Sequence, residues 1–191
     1  HFTQNHTGLE KDKEWSYCPY EATSITYLSN NAAALKARID SLKLHDGTGT
    51  GVASNWGYLL LDPSAQPFVS QMASAGQVPM QFSTRPAAFD DSSTLKVIVL
   101  MTDGEITEQR RPKPEFYAYP RAKEGKDSNY DYQKRDGTAG SAESLKRVCE
   151  SAKANGVVIY TIGFYASFQG LRDCASSASH YYNVTGAGCA V

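Results

Sequence analysis

The chain has 191 residues, enough for one domain that buries roughly 70% of its unfolded surface. Lys and Arg (19) almost balance Asp and Glu (20), and the formal charge of -1 makes no electrostatic case for nucleic acid or for an acidic, disordered segment. No run approaches the ~20 apolar residues of a membrane span, and the amino end lacks the basic and apolar parts of a signal peptide.

Residues 1–22 are polar and without apolar period, so an irregular arm or the end of an upstream insertion is expected there. The chain opens on His1, which suggests a processed protein or a fragment. Thr23 to Leu28 suits a short strand. Asn30 to Leu44 is predicted as a helix, with Ala34, Leu35, Ile39 and Leu42 on one stripe and Asn30 or Asn31 as its cap.

Asp46 to Gly51 is a Gly-rich loop. Val52, Trp56, Leu59 and Leu60 follow at helical spacing, which places Thr48 and Thr50 at a helix start, and Asp62-Pro63 is expected to end that helix. Ser64 to Ser93 reads as a long connection over the sheet edge.

Leu95 to Glu105, LKVIVLMTDGE, carries the strongest local signal. Its unbroken apolar run from Val97 to Met101 predicts a strand covered on both faces, as in parallel sheets with helical crossovers. Thr102 and Asp103 then fall at the carboxyl edge, where open α/β sheets bind ligands.

Residues 107–140 form a long surface excursion with Pro112, Pro114 and Pro120. Its Tyr117, Tyr119, Tyr130 and Tyr132 suit either an interaction surface or a self-packed loop. Ser141 to Asn155 is predicted helical, with Leu145, Val148, Cys149 and Ala152 inward and Asn155-Gly156 as the stop. Val157 to Ile162 is a second buried strand, Leu171 to Ala178 a short helix, and Tyr181 to Val184 a short strand or turn. Apolar strands alternating with amphipathic helices argue for an α/β, Rossmann-like fold with a mostly parallel sheet and helices on both faces.

Asp103 and Thr50 offer hard oxygen donors suited to Mg²⁺ or Ca²⁺, which take six or more. Two donors do not define a site, and capping is the alternative role for Asp103, Thr48 and Thr50. Trp56 is expected to pack its helix against the sheet, with ligand contact beside the loop as the second reading. His180, beside Tyr181 and Tyr182, lacks a nucleophile motif and reads as structural or surface. Cys18, Cys149, Cys174 and Cys189 allow three complete pairings. A disulfide between Cys149 and Cys174 is the expectation, because these residues flank a helix end, a strand and a loop; it implies an oxidising compartment. Free buried cysteines and a metal site are the alternatives.

LKVIVLMTDGE, GTGTG at Gly47 to Gly51 and GVVIYTIGF at Gly156 to Phe164 together resemble a von Willebrand factor A domain. SNWGYLLLDPS, TDGE and LRDCASSASHYYNVTGA are more narrowly similar to the carboxyl-terminal A-type domain of TadG-related proteins of bacterial tight-adherence pilus systems. The likeness runs over roughly Cys18 to Val191, so residues 23–191 are expected to be a partial domain of this kind with 107–140 inserted.

The resemblance implies a metal-ion-dependent adhesion site. Thr50 matches its second loop and Asp103 its third, with Thr48, Trp56 and Glu105 adjacent. The first loop, an Asp-x-Ser-x-Ser after the opening strand, has no counterpart here. That strand is therefore expected to come from another segment, such as the missing amino-terminal part of the precursor, or from residues 1–28. Mg²⁺ or Ca²⁺ binding is expected in the complete domain and weak or absent in this chain alone.

A noncatalytic adhesion or protein-interaction module follows from the resemblance, extracytoplasmic, in the bacterial periplasm or at the cell surface. Its expected partner is a protein ligand or a pilus or envelope component, with neither nucleic acid nor a membrane span. The alternatives are a structural assembly domain without metal and a metal-assisted hydrolase. The hydrolase lacks a convincing nucleophile and proton route, and GTGTG lacks the continuation of a Walker phosphate loop.

Overall fold

A computed structural model of the chain describes residues 24–41, 48–107, 109–112 and 132–185. In chain order these form α1 (Ala32–Asp40), α2 (Thr50–Leu59), α3 (Gln66–Ser74), β1 (Val97–Thr102), β2 (Gln109–Pro112), β3 (Tyr132–Asp136), α4 (Thr138–Ala154), β4 (Val158–Phe164), α5 (Gln169–Cys174) and β5 (Tyr181–Val184). The expected α/β organisation is present. Three strands make a parallel sheet in the order β1-β4-β5, and β2 and β3 form a separate antiparallel pair.

The sequence explains the principal elements. α4 turns Leu145, Cys149 and Ala152 inward at helical spacing and ends where expected. Gly156 takes φ +75°, its N–H donates to Lys153 O (3.0 Å), and Val157 N–H donates to Ala152 O (3.0 Å). These are the two bonds of a Schellman stop, and the left-handed residue in it is a glycine. Ile159 and Val157 of the following segment pack with α4, Leu100, Leu171 and Cys174 in one core. A disulfide joins Cys149 of α4 to Cys174 of α5, with Cα atoms 5.1 Å apart, as expected; Cys18 and Cys189 lie outside the described residues.

Lys96 supplies a second tie. Its ammonium is buried just before β1, donates to Leu61 O and Ala87 O (2.6 Å each), and lies 4.1 Å from the Phe89 ring centroid. One cation thereby fastens the exit of α2 and the 87–89 loop to the strand. Burial pulls its pKa below the ordinary lysine value, against the opposing pull of Asp62 and Asp91.

Several expectations are corrected. β1 is not covered on both faces: Val99 and Met101 are each 57% exposed and Val97 also faces solvent, while Leu100 and Thr102 are buried. Among the described residues, helices pack on one side of the sheet only and β1 is an edge strand. Residues 24–28 carry no strand. The first helix is confined to Ala32–Asp40, capped by the Asn31 side chain (3.0 Å to Ala34 N) as foreseen, but its stripe buries nothing and Ile39 is 66% exposed. Leu42 lies outside the described residues.

Trp56 is 48% exposed rather than packed on the sheet, because α2 instead turns its small residues Thr50, Gly51 and Ser54 inward. α2 closes at Leu59, before Asp62, whose carboxylate accepts from Ser64 N (2.8 Å) and starts a 3-10 turn. The stretch 64–93 is not a plain connection: it holds α3, where Val69, Met72 and Ala73 meet Val78 in a satellite core. The 107–140 excursion contains β2, β3 and the start of α4. Tyr117, Tyr119 and Tyr130 lie outside the described residues; Tyr132 opens β3 opposite Pro112. Residues 1–22 are likewise outside.

Candidate functional site

The carboxyl end of β1 is where two sequence-predicted loops meet. Thr48 N–H donates to Thr107 Oγ1 (2.8 Å), and Thr107 N–H donates to Thr48 O (3.1 Å). The loop before α2 is thus stitched to the loop after β1 across 59 residues of sequence. Gly104, directly after Asp103, makes this approach possible: a Cβ there would stand 2.8 Å from Thr48 Oγ1. Thr102 steadies the turn, its hydroxyl donating to Gly104 O (3.0 Å).

Asp103 and Glu105 are solvent-exposed on this turn, and Thr48 beside it is half-buried. Thr50, two residues on, is only 3% exposed. Its Oγ1 is buried with no hydrogen-bond partner, and so are Ser54 Oγ on the next turn of α2 and Ser141 Oγ on α4. Gly51 explains why these groups are shut in. A Cβ on it would lie 2.9 Å from Ser141 O and 3.0 Å from Leu145 N, so the two helix backbones are in near contact. The α2 N-terminus has Gly49 as its cap residue, with no side-chain cap bond.

A metal bound here would find Thr50 and Asp103 of suitable donor chemistry, with Glu105 on the same loop as Asp103. The Thr50 hydroxyl opens α2 directly after the loop that is stitched to the turn carrying the exposed Asp103 carboxylate. The described residues of these loops do not show the remaining donors of a six-fold shell. Among the described residues, no group of three or more His, Cys, Asp or Glu is placed to hold a metal ion.

Tyr165 is a feature that the sequence concealed. It follows β4 with φ +55°, unusual for a bulky residue, and its ring is largely exposed. Its N–H donates to Val184 O (3.0 Å), and Gly163, whose Cβ would collide with Ala166 O, lets the chain fold back at that point. Since Thr102 pairs with Gly163 in register, Tyr165 belongs to the same end of the sheet as Asp103. Nothing in a tyrosine's identity announces a left-handed backbone.

His180 has a structural setting. Its Nδ1 is 2.7 Å from Ser177 Oγ, the hydroxyl that also accepts from Ser179 N to cap a 3-10 turn, and its ring lies against Tyr160 with centroids 4.5 Å apart. A groove of about 250 Å³ runs between α2 and α4, lined by Asn55, Tyr58, Ser144, Arg147, Val148 and Ser151. It begins more than a turn along α2 from Thr50 and does not include Asp103.

No family model matches the chain, and neither does any curated protein or solved structure. The described residues support a small α/β fold, broadly Rossmann-like, with a parallel sheet flanked by helices.

Proposed function

We propose that the chain is a noncatalytic adhesion or protein-interaction module of the von Willebrand factor A type, working in a bacterial pilus or envelope system. The carboxyl end of the parallel sheet is its contact surface. Thr50 and Asp103 contribute to a Mg²⁺ or Ca²⁺ site that is completed outside the described loops, and a carboxylate of the protein partner is one source of the missing oxygen donors. A metal held this way gives an oriented, charge-assisted contact. The protein's own residues fix the loop geometry through the Thr48–Thr107 pair, and Tyr165 presents an aromatic surface at the rim.

The observation that carries this reading is the buried, unpartnered Thr50 hydroxyl at the first residue of α2, directly after a loop tied to the Asp103 turn. Buried hydroxyls are ordinarily satisfied, so one left open beside a carboxylate-bearing turn calls for a ligand. The disulfide supports an oxidising, extracytoplasmic setting.

The second reading, an assembly domain without metal, is favoured by a different fact. Ser54 and Ser141 carry orphan hydroxyls too, which makes Thr50 one member of a polar seam between α2 and α4. Calorimetry with Mg²⁺, Ca²⁺ and Mn²⁺, on this chain and on a precursor form carrying any sequence before His1, separates the two. Saturable binding in the longer form, lost in Asp103→Ala with the fold intact, upholds the metal reading. Absence of binding in both forms leaves the assembly domain.

A further inference from the structure

One face of the parallel sheet is uncharged along its three strands, and among the described residues no α-helix packs on it; the His180 ring, one residue before β5, lies against Tyr160 on this side. In the strand register, Val97, Val99 and Met101 of β1 align with Val158, Tyr160 and Ile162 of β4, and Ile162 and Phe164 align with Tyr182 and Val184 of β5. These nine side chains share a face, and none of them carries a charge. The alternate residues Leu100, Ile159 and Thr161 point to the other face and are buried under the helices. On the open face Val97, Val99, Met101 and Tyr182 are exposed and the other five are half-buried.

Parallel sheets are ordinarily covered on both sides, because their strands are apolar on both sides. An uncharged surface of this kind, on the order of 500 Å², is at the upper end of the largest patch that a soluble monomer usually exposes, where such patches are often functional. We infer that this face docks on the same face of a second copy of the chain, in a two-fold α/β/β/α sandwich with the sheets about 10 Å apart.

Self-complementarity is the reason to choose a second copy. A two-fold pairing sets each strand row against the partner's without burying a Lys, Arg, Asp or Glu, and the imidazole at the margin, His180, keeps its Nδ1 contact with Ser177 Oγ. The exposed parts of Val97, Val99, Met101 and Tyr182, the half-buried residues between them and Leu95 at the margin amount to on the order of 500 Å² per protomer. Doubled, that reaches the roughly 1,000 Å² at which a specific interface becomes sustainable. The pairing is independent of the Thr50–Asp103 end, which lies at the strand termini and stays accessible.

The test is sedimentation equilibrium of the whole chain up to about 100 μM, with Val99→Lys placing a charge midway along β1 on the open face. Leu59→Lys, on an exposed position of α2, is the control. The expected result is a wild-type monomer–dimer equilibrium that Leu59→Lys leaves alone and Val99→Lys weakens at least tenfold, with Met101→Glu doing the same. Circular dichroism and melting temperature should hold in both face variants, since residues 99 and 101 are mostly in solvent in the monomer.

A monomer across the whole concentration range overturns the inference. So does a dimer that tolerates Val99→Lys and Met101→Glu, because it must use another face. If the wild type stays monomeric yet a precursor form with additional sequence protects the β1 amides from exchange, the occupant is a further segment of the precursor and the inference is likewise overturned.

Discussion

Replacing Thr50 by Val removes one hydroxyl and keeps the side chain's branching and volume. In the folded chain that hydroxyl is buried and without a partner, whereas in the unfolded chain it is hydrated. Burying an unpaired hydroxyl costs about 1–3 kcal/mol, and the methyl that replaces it gains rather than loses on burial. The helix propensities of Thr and Val are close, so the first turn of α2 contributes little to the difference. Thr50→Val should therefore stabilise the metal-free protein by about 1–2 kcal/mol, which for a chain of this length raises Tm by about 2–8 °C.

Differential scanning calorimetry in EDTA measures this. Under the metal reading, the same variant loses any increase in Tm that Mn²⁺ gives the precursor form, so stability and ligand response move in opposite directions. A fall in Tm of several degrees in EDTA would refute the reasoning, because it would mean that the hydroxyl is satisfied in the native state.

Two further outcomes follow from other parts of the structure. The disulfide closes a sequence separation of 25 residues, and the chain-entropy relation puts its contribution at about 3.5 kcal/mol. Urea unfolding of the Cys149→Ala/Cys174→Ala double variant should show a loss of that order, and a loss below about 1 kcal/mol would contradict a structural role. On the acid side, Asp62 is held below its ordinary pKa of 3.8 by the hydroxyl and N–H of Ser64, and Asp91 by the hydroxyl and N–H of Ser93 and the hydroxyl of Thr94. Their stabilisation is complete above the unfolded value and is lost as pH falls through the lowered folded values. Melting curves between about pH 2 and 5 should show a shallower acid decline in Asp62→Ala and Asp91→Ala than in wild type.

The sequence by itself determined the local elements whose signals are chemical and short-range. The run Val97 to Met101 made a strand, the inward stripe of Leu145, Cys149 and Ala152 made α4, and Asn155-Gly156 stopped it, because these depend on period and on one residue's backbone freedom. The loop before α2 and the turn after β1 meet through the Thr48–Thr107 bonds, which span 59 residues of sequence, and through the close approach of Gly104 to Thr48.

Burial was a different matter, since a residue's exposure depends on what lies beyond the strand or helix that carries it. Val99 and Leu100 look equally core-like in sequence, yet one is open and the other covered, because the described helices lie on Leu100's side of the sheet. Trp56 was expected inside and stands outside because Gly51 allows α2 and α4 to meet through their small residues. Only the tertiary structure could decide these, along with the left-handed Tyr165 and the orphan hydroxyls of Thr50, Ser54 and Ser141: each is set by neighbours distant in sequence, and no pattern along the chain encodes which face finds a partner.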